Sequence, residues 1–118
     1  MRKIFFLAVI LILTVGNSLY AAENKSPGAD KVSVYLQDGR ELYKQGKYDE
    51  AVSVIKRAID INSTAEAPRY MLAMIYEKQG RNDQAISEWN EFIRLSSNKG
   101  LLKSAKIHLE RLRRLANE

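Results

Sequence analysis

Lys44-Gln45-Gly46-Lys47-Tyr48-Asp49-Glu50-Ala51 and Lys78-Gln79-Gly80-Arg81-Asn82-Asp83-Gln84-Ala85 are two copies of one pattern, set 34 residues apart. The same register carries Ser53 onto Ser87, Ile59 onto Ile93 and Ser63 onto Ser97, with Val52/Ile86 and Ile61/Leu95 as conservative matches. A period between about 20 and 50 residues marks stacked supersecondary units, none of which can bury its apolar face alone. Each glycine stands where a helix can stop, and the aspartate three residues on is placed to cap the next helix.

Working outward, Val32, Tyr35, Leu36, Gly39, Leu42 and Tyr43 recur at three- and four-residue steps, which predicts a helix starting from Asp30 as its cap. A second helix carries Ala51, Val52, Ile55, Ala58, Ile59 and Ile61. After a break at residues 62–65, Pro68 suits the first turn of a third helix, whose core side is Met71, Leu72, Ile75 and Tyr76. Asp83 is the predicted cap of a fourth, with Ala85, Ile86, Trp89, Phe92, Ile93 and Leu95. A Leu-rich fifth follows Ser96–Gly100. The predicted class is all-α, and the short connections make each helix pair antiparallel. Gly39 with Ala51, and Ala73 with Ala85, are the small residues that let paired backbones approach.

The chain opens Met1-Arg2-Lys3, runs through apolar residues from Ile4 to Gly16, and reaches Asn17-Ser18-Leu19-Tyr20-Ala21-Ala22. A cationic start, a short apolar stretch and a small-residue region make a signal peptide, expected at residues 1–21 with the cut after Ala21. Residues 22–30 read as a flexible tether. The alternative is a membrane tether through residues 4–22, although a spanning helix needs about 20 apolar residues. Export, to the periplasm of a bacterial envelope, is therefore the expected location, with inner-membrane anchoring as the alternative.

There is no cysteine, which excludes disulfides, thiolate metal sites and a lipid-modified amino-terminal cysteine. Without Arg2 and Lys3 the balance is only mildly basic and gives no reason to expect nucleic acid as a partner. Lys99, Lys103, Lys106, Arg111, Arg113 and Arg114 crowd the last twenty residues. Cations near a helix C-terminus are favoured by the macrodipole, and this reading is preferred to contact with an anionic surface.

The two copies resemble the tetratricopeptide repeat family, whose 34-residue helix pair follows W-x₂-L-G-x₂-Y…A-x₃-F…P. The first reads Tyr35-x₂-Asp38-Gly39-x₂-Leu42, then Gly46-x₄-Ala51-x₃-Ile55-x₂-Ala58. The second reads Arg69-x₂-Leu72-Ala73-x₂-Tyr76, then Gly80-x₄-Ala85-x₃-Trp89. The resemblance implies a right-handed superhelical stack of two hairpins, residues 31–65 and 66–99, closed by a C-terminal capping helix over 100–118. Asp38 and Arg69 replace the usual Leu and Trp and suggest a polar outer face. Phe92 stands where the first copy has Ala58, so the fifth helix is expected to pack at an altered offset.

The resemblance also implies a concave groove lined by the first helix of each pair, which would hold a peptide or helix of a protein partner. It places Leu36, Arg40, Tyr43 and Lys44 there from the first copy, and Tyr70, Met74, Glu77 and Lys78 from the second. Packing of Tyr43, Tyr70 and Met74 against the fifth helix or a neighbouring protomer is the alternative. Gln37 and Met71 occupy the sites where repeats that clamp a chaperone's C-terminal carboxylate carry Asn, so that activity is not expected.

Catalytic residues, cofactors and metals are not expected. His108 is the only histidine, thiols are absent, and phosphate-binding glycine motifs are missing. Asp49-Glu50 and Glu88/Glu91 read as a helix start and a solvated helix face. The expected function is an exported interaction module, an adaptor or scaffold for a cell-envelope partner. The alternatives are a self-associating structural subunit and a membrane-tethered assembly factor.

Overall fold

The computed structural model describes residues 27–118. The expected signal peptide and residues 22–26 of the expected tether lie outside them. Five helices follow one another: α1 (Pro27–Lys44), α2 (Tyr48–Ile61), α3 (Glu66–Lys78), α4 (Asn82–Leu95) and α5 (Lys99–Ala116). Among the described residues there is no strand.

Gly46 and Gly80 adopt φ of 74° and 69°, the left-handed conformation that glycine takes without a Cβ clash. Around Gly46, the Lys47 N–H donates to the Leu42 carbonyl at 2.9 Å and the Gly46 N–H to that of Tyr43 at 3.0 Å. Around Gly80, Arg81 donates to Tyr76 at 2.9 Å and Gly80 to Glu77 at 3.0 Å. This crossed pair is the Schellman motif, which satisfies carbonyls a helix end would leave orphaned. The repeated Gln-Gly pair is thus a repeated helix stop.

Three details of the sequence reading change. α1 begins at Pro27, so residues 27–30 belong to the helix and Asp30 lies in its first turn instead of capping it. Proline is favoured at such a start because its missing N–H would have been unbonded anyway. Asp49 and Asp83 are not caps either. Lys47 and Arg81 hold the cap positions with no side-chain bond, and each aspartate sits in the first turn, where the positive helix end favours a carboxylate. Asn98 does cap α5, its side-chain oxygen accepting from the Leu101 N–H at 3.1 Å.

Each helix packs on its successor, and α1 also touches α3. Close approach depends on small residues: Ala51, Ala58, Ala73 and Ala85 are fully buried. A Cβ at Gly39 would clash with Ile55 Cδ1 and lie 2.7 Å from its Cγ1, and Ile55 is itself fully buried. Most of the bulk lies in the second hairpin and α5, where Leu72, Ile75, Trp89 and Phe92 are buried with Ala105, Leu109 and Leu112.

α5 does continue the stack, but at a shifted offset. Gly39 and Ala73, the buried small residues of α1 and α3, are 34 apart, whereas the next one, Ala105, comes after only 32. Ile107, one full period beyond Ala73, is 57% exposed. Phe92 stands beside this slip: where the first copy has the small Ala58, its fully buried ring packs edge-on against Tyr70 and Trp89.

Two surface readings are corrected as well. Arg69 does not face solvent; it pairs with Glu88 at 3.0 Å, and the two side chains are only 19% and 15% exposed. Glu88 is therefore part of the α3–α4 packing rather than of a solvated face. In addition, α5 starts at Lys99, which puts Lys99 and Lys103 near its N-terminal end, where the macrodipole opposes cations. Only Arg113 and Arg114 stand in the last turn, where it favours them.

Candidate functional site

Leu36 and Arg40 lie one turn apart on α1, while Ala67, Tyr70 and Met71 occupy the facing stretch of α3. With Glu66, with Phe92 from α4 and with Leu101 from α5, they enclose an open cleft of about 260 Å³. Its wall is almost wholly apolar, and Arg40 and Glu66 contribute one charge of each sign. Neither is in an ion pair among the described residues. Tyr70 is rigid there because its ring meets Trp89 at 4.9 Å and Phe92 at 5.2 Å between centroids, both edge-on. A cleft of this kind accepts one or two apolar side chains and leaves Arg40 beside them for a carboxylate.

The structure brings three of the eight sequence-derived groove residues to this cleft: Leu36, Arg40 and Tyr70. The other five lie toward the Gly46 and Gly80 turns, outside its lining. Tyr43 is half-buried and packs on Tyr48, with ring centroids 5.6 Å apart. Met74 is half-buried against the core, Lys78 is exposed, and Lys44 pairs on the surface with Glu41 at 3.0 Å.

Glu77 has a different setting. Its Oε1 accepts from Trp89 Nε1 at 2.6 Å and meets His108 Nδ1 at 2.9 Å, while Arg111 donates to its Oε2. His108 stacks on Trp89 with ring centroids 4.9 Å apart. Arg111 Nη2 also lies 3.0 Å from His108 Nδ1, so carboxylate, imidazole and guanidinium form one cluster. Glu77 thus ties α3 to α4 and α5, and both of its oxygens are committed to internal bonds.

Sequence reasoning did not place Glu66, Ala67, Met71, Phe92 or Leu101 in a groove. Met71 and Phe92 did carry a signal, the first at a position that faces ligand in related repeats and the second as the misfit in the repeat. Leu101 carried none, because its role depends on the offset of α5. Away from the cleft, the hydrogen bond from Arg94 holds the Glu91 carboxyl below the ordinary carboxylate range on the exposed face of α4. Among the described residues no group of three or more His, Cys, Asp or Glu is placed to hold a metal ion.

Residues 42–91, from the last turn of α1 into α4, match the family described as tetratricopeptide repeat. The chain is a tetratricopeptide-repeat protein. Repeats of this family are protein–protein interaction modules. The chain is 34% identical over 98 residues to a "DnaJ homolog subfamily C member 3 homolog" of Dictyostelium discoideum, matching 78% of this chain and 18% of that protein. It is 26% identical over 109 residues to a "Tetratricopeptide repeat and J domain-containing co-chaperone" of Cryptococcus neoformans var. grubii, matching 92% of this chain and 19% of that one. The tetratricopeptide-repeat chain thus spans less than a fifth of either relative's length.

Proposed function

We propose that this tetratricopeptide-repeat protein docks an extended polypeptide segment in the cleft between α1, α3 and α5, with an apolar anchor against Tyr70 and Met71 and an acidic group beside Arg40. The cleft itself carries the reading. It is open, apolar, backed by an edge-on aromatic cluster, and edged by a cation that is in no ion pair among the described residues. The name of one relative, a J domain-containing co-chaperone, supports a polypeptide as the occupant. Within this proposal the protein works as an adaptor on the exported side of a bacterial envelope, supported by the Arg2-Lys3 start and the apolar run that follows.

Two measurements test the two halves. A partner captured from envelope extract is expected to lose at least tenfold in affinity, about 1.4 kcal/mol, for Arg40→Glu combined with Leu101→Glu. Both positions are exposed, so the fold is expected to persist by circular dichroism. Unchanged affinity would refute the cleft as the docking site. For export, mass spectrometry of the envelope-fraction protein is expected to find Ala22 as the first residue; Met1 retained there would favour the membrane tether.

A further inference from the structure

Among the described residues no helix packs on the outer side of α5, which is strongly cationic. At 3.6 residues per turn, Lys99, Lys103, Lys106, Arg113 and Arg114 fall within about a third of the helix circumference, opposite buried Ala105, Leu109 and Leu112. None of the five is in an ion pair among the described residues. Glu110 is the one acid on this arc, and Ile107 at its edge is 57% exposed. Like charges stacked at three- and four-residue spacing weaken a helix, and α5 has no acid in its first turn to offset Lys99 and Lys103. Glu110 and the C-terminal dipole offset part of this repulsion for Lys106, Arg113 and Arg114, but neither reaches Lys99 or Lys103.

We propose that this face of α5 docks on an anionic phospholipid surface, separately from the polypeptide cleft. Charge complementarity asks for a polyanion, and the way the charges are laid out selects the kind. They extend along about 22 Å of helix instead of converging on one point. Three of the five are lysines, mobile point charges that are depleted in protein–protein interfaces but attracted to anionic headgroups. The face offers no aromatic or neutral amide side chain to select a protein surface, whereas exposed Ile107 suits partial immersion among headgroups.

The test is co-sedimentation of the full chain with vesicles of phosphatidylcholine, alone or with one-third phosphatidylglycerol. The parent is compared with Lys99→Glu/Lys103→Glu/Lys106→Glu and with the same three lysines changed to Arg. The apolar N-terminal stretch is common to all three proteins, so the differences between them report α5. On anionic vesicles the Glu variant is expected to bind at least tenfold more weakly than the parent, and the Arg variant to match it. The gap is expected to close on neutral vesicles and in about 0.5 M salt, where screening shortens the field to a few ångströms. Equal binding of parent and Glu variant to anionic vesicles overturns the proposal. So does a gap that persists on neutral vesicles, or charge-dependent binding of polyglutamate with none to lipid, which would assign the face to an acidic polypeptide.

Discussion

Trp89→Ala is expected to destabilise the domain by about 3–5 kcal/mol in chemical denaturation followed by circular dichroism, the largest loss for any single truncation here. The side chain is fully buried at the point where α3, α4 and α5 meet. Its removal leaves a cavity under Tyr70 and Phe92, takes away the stacking surface of His108, and deprives Glu77 of its donor at 2.6 Å. A single domain of this size typically has about 5–15 kcal/mol in total, so the loss is a large fraction of its stability. Trp89→Phe separates the terms. It keeps most of the ring and loses the N–H, and its expected cost is about 1–2 kcal/mol, with Arg111 and His108 still holding the carboxylate. If Trp89→Ala melts like the parent, the ring is not the keystone of the α5 contact.

Phe92→Ala is expected to cost about 3–5 kcal/mol, toward the lower end because the space vacated opens onto the cleft and can admit water. Phe92 both lines the cleft and fills the buried gap behind it. The substitution restores the alanine found at the matching place in the first copy, Ala58. If the repeat pattern alone governed packing, it would be harmless. A loss below about 1 kcal/mol would mean that α5 can slide back into the regular register, with Ile107 rather than Ala105 turned inward.

The repeat, the two glycine stops and the apolar stripes follow from local chemistry, and those parts of the fold were legible in the residues. Cap positions were not, because an aspartate three residues after a glycine can serve either as the cap or in the first turn, depending on where the chain leaves the left-handed residue. Arg69 illustrates a deeper limit: at a position usually held by a large apolar residue it looks like solvent-facing surface, and only the placement of Glu88 on the neighbouring helix gives it a buried partner. Likewise, Phe92 announced a disturbed offset without saying how large. The two-residue slip then decides that Leu101 forms part of the cleft wall and that Ile107 faces outward. Of the groove candidates, those near the middle of α1 and α3 come together, while Glu77 is drawn off by donors on α4 and α5 that no spacing rule within one repeat could reveal.

The bonds that fasten one helix to another have a further consequence for how the chain is assembled. Arg69 to Glu88 bridges 19 residues, Gln79 to Asp49 bridges 30, and Arg111 to Glu77, the widest, bridges 34. Fastenings this short close small loops, for which the entropic toll grows slowly with length. Low contact order of this kind goes with rapid folding, each helix finding its place against one just made. A gene that gained or lost one such unit by duplication would leave these pairings intact elsewhere, so the architecture can change length without having to be rethreaded.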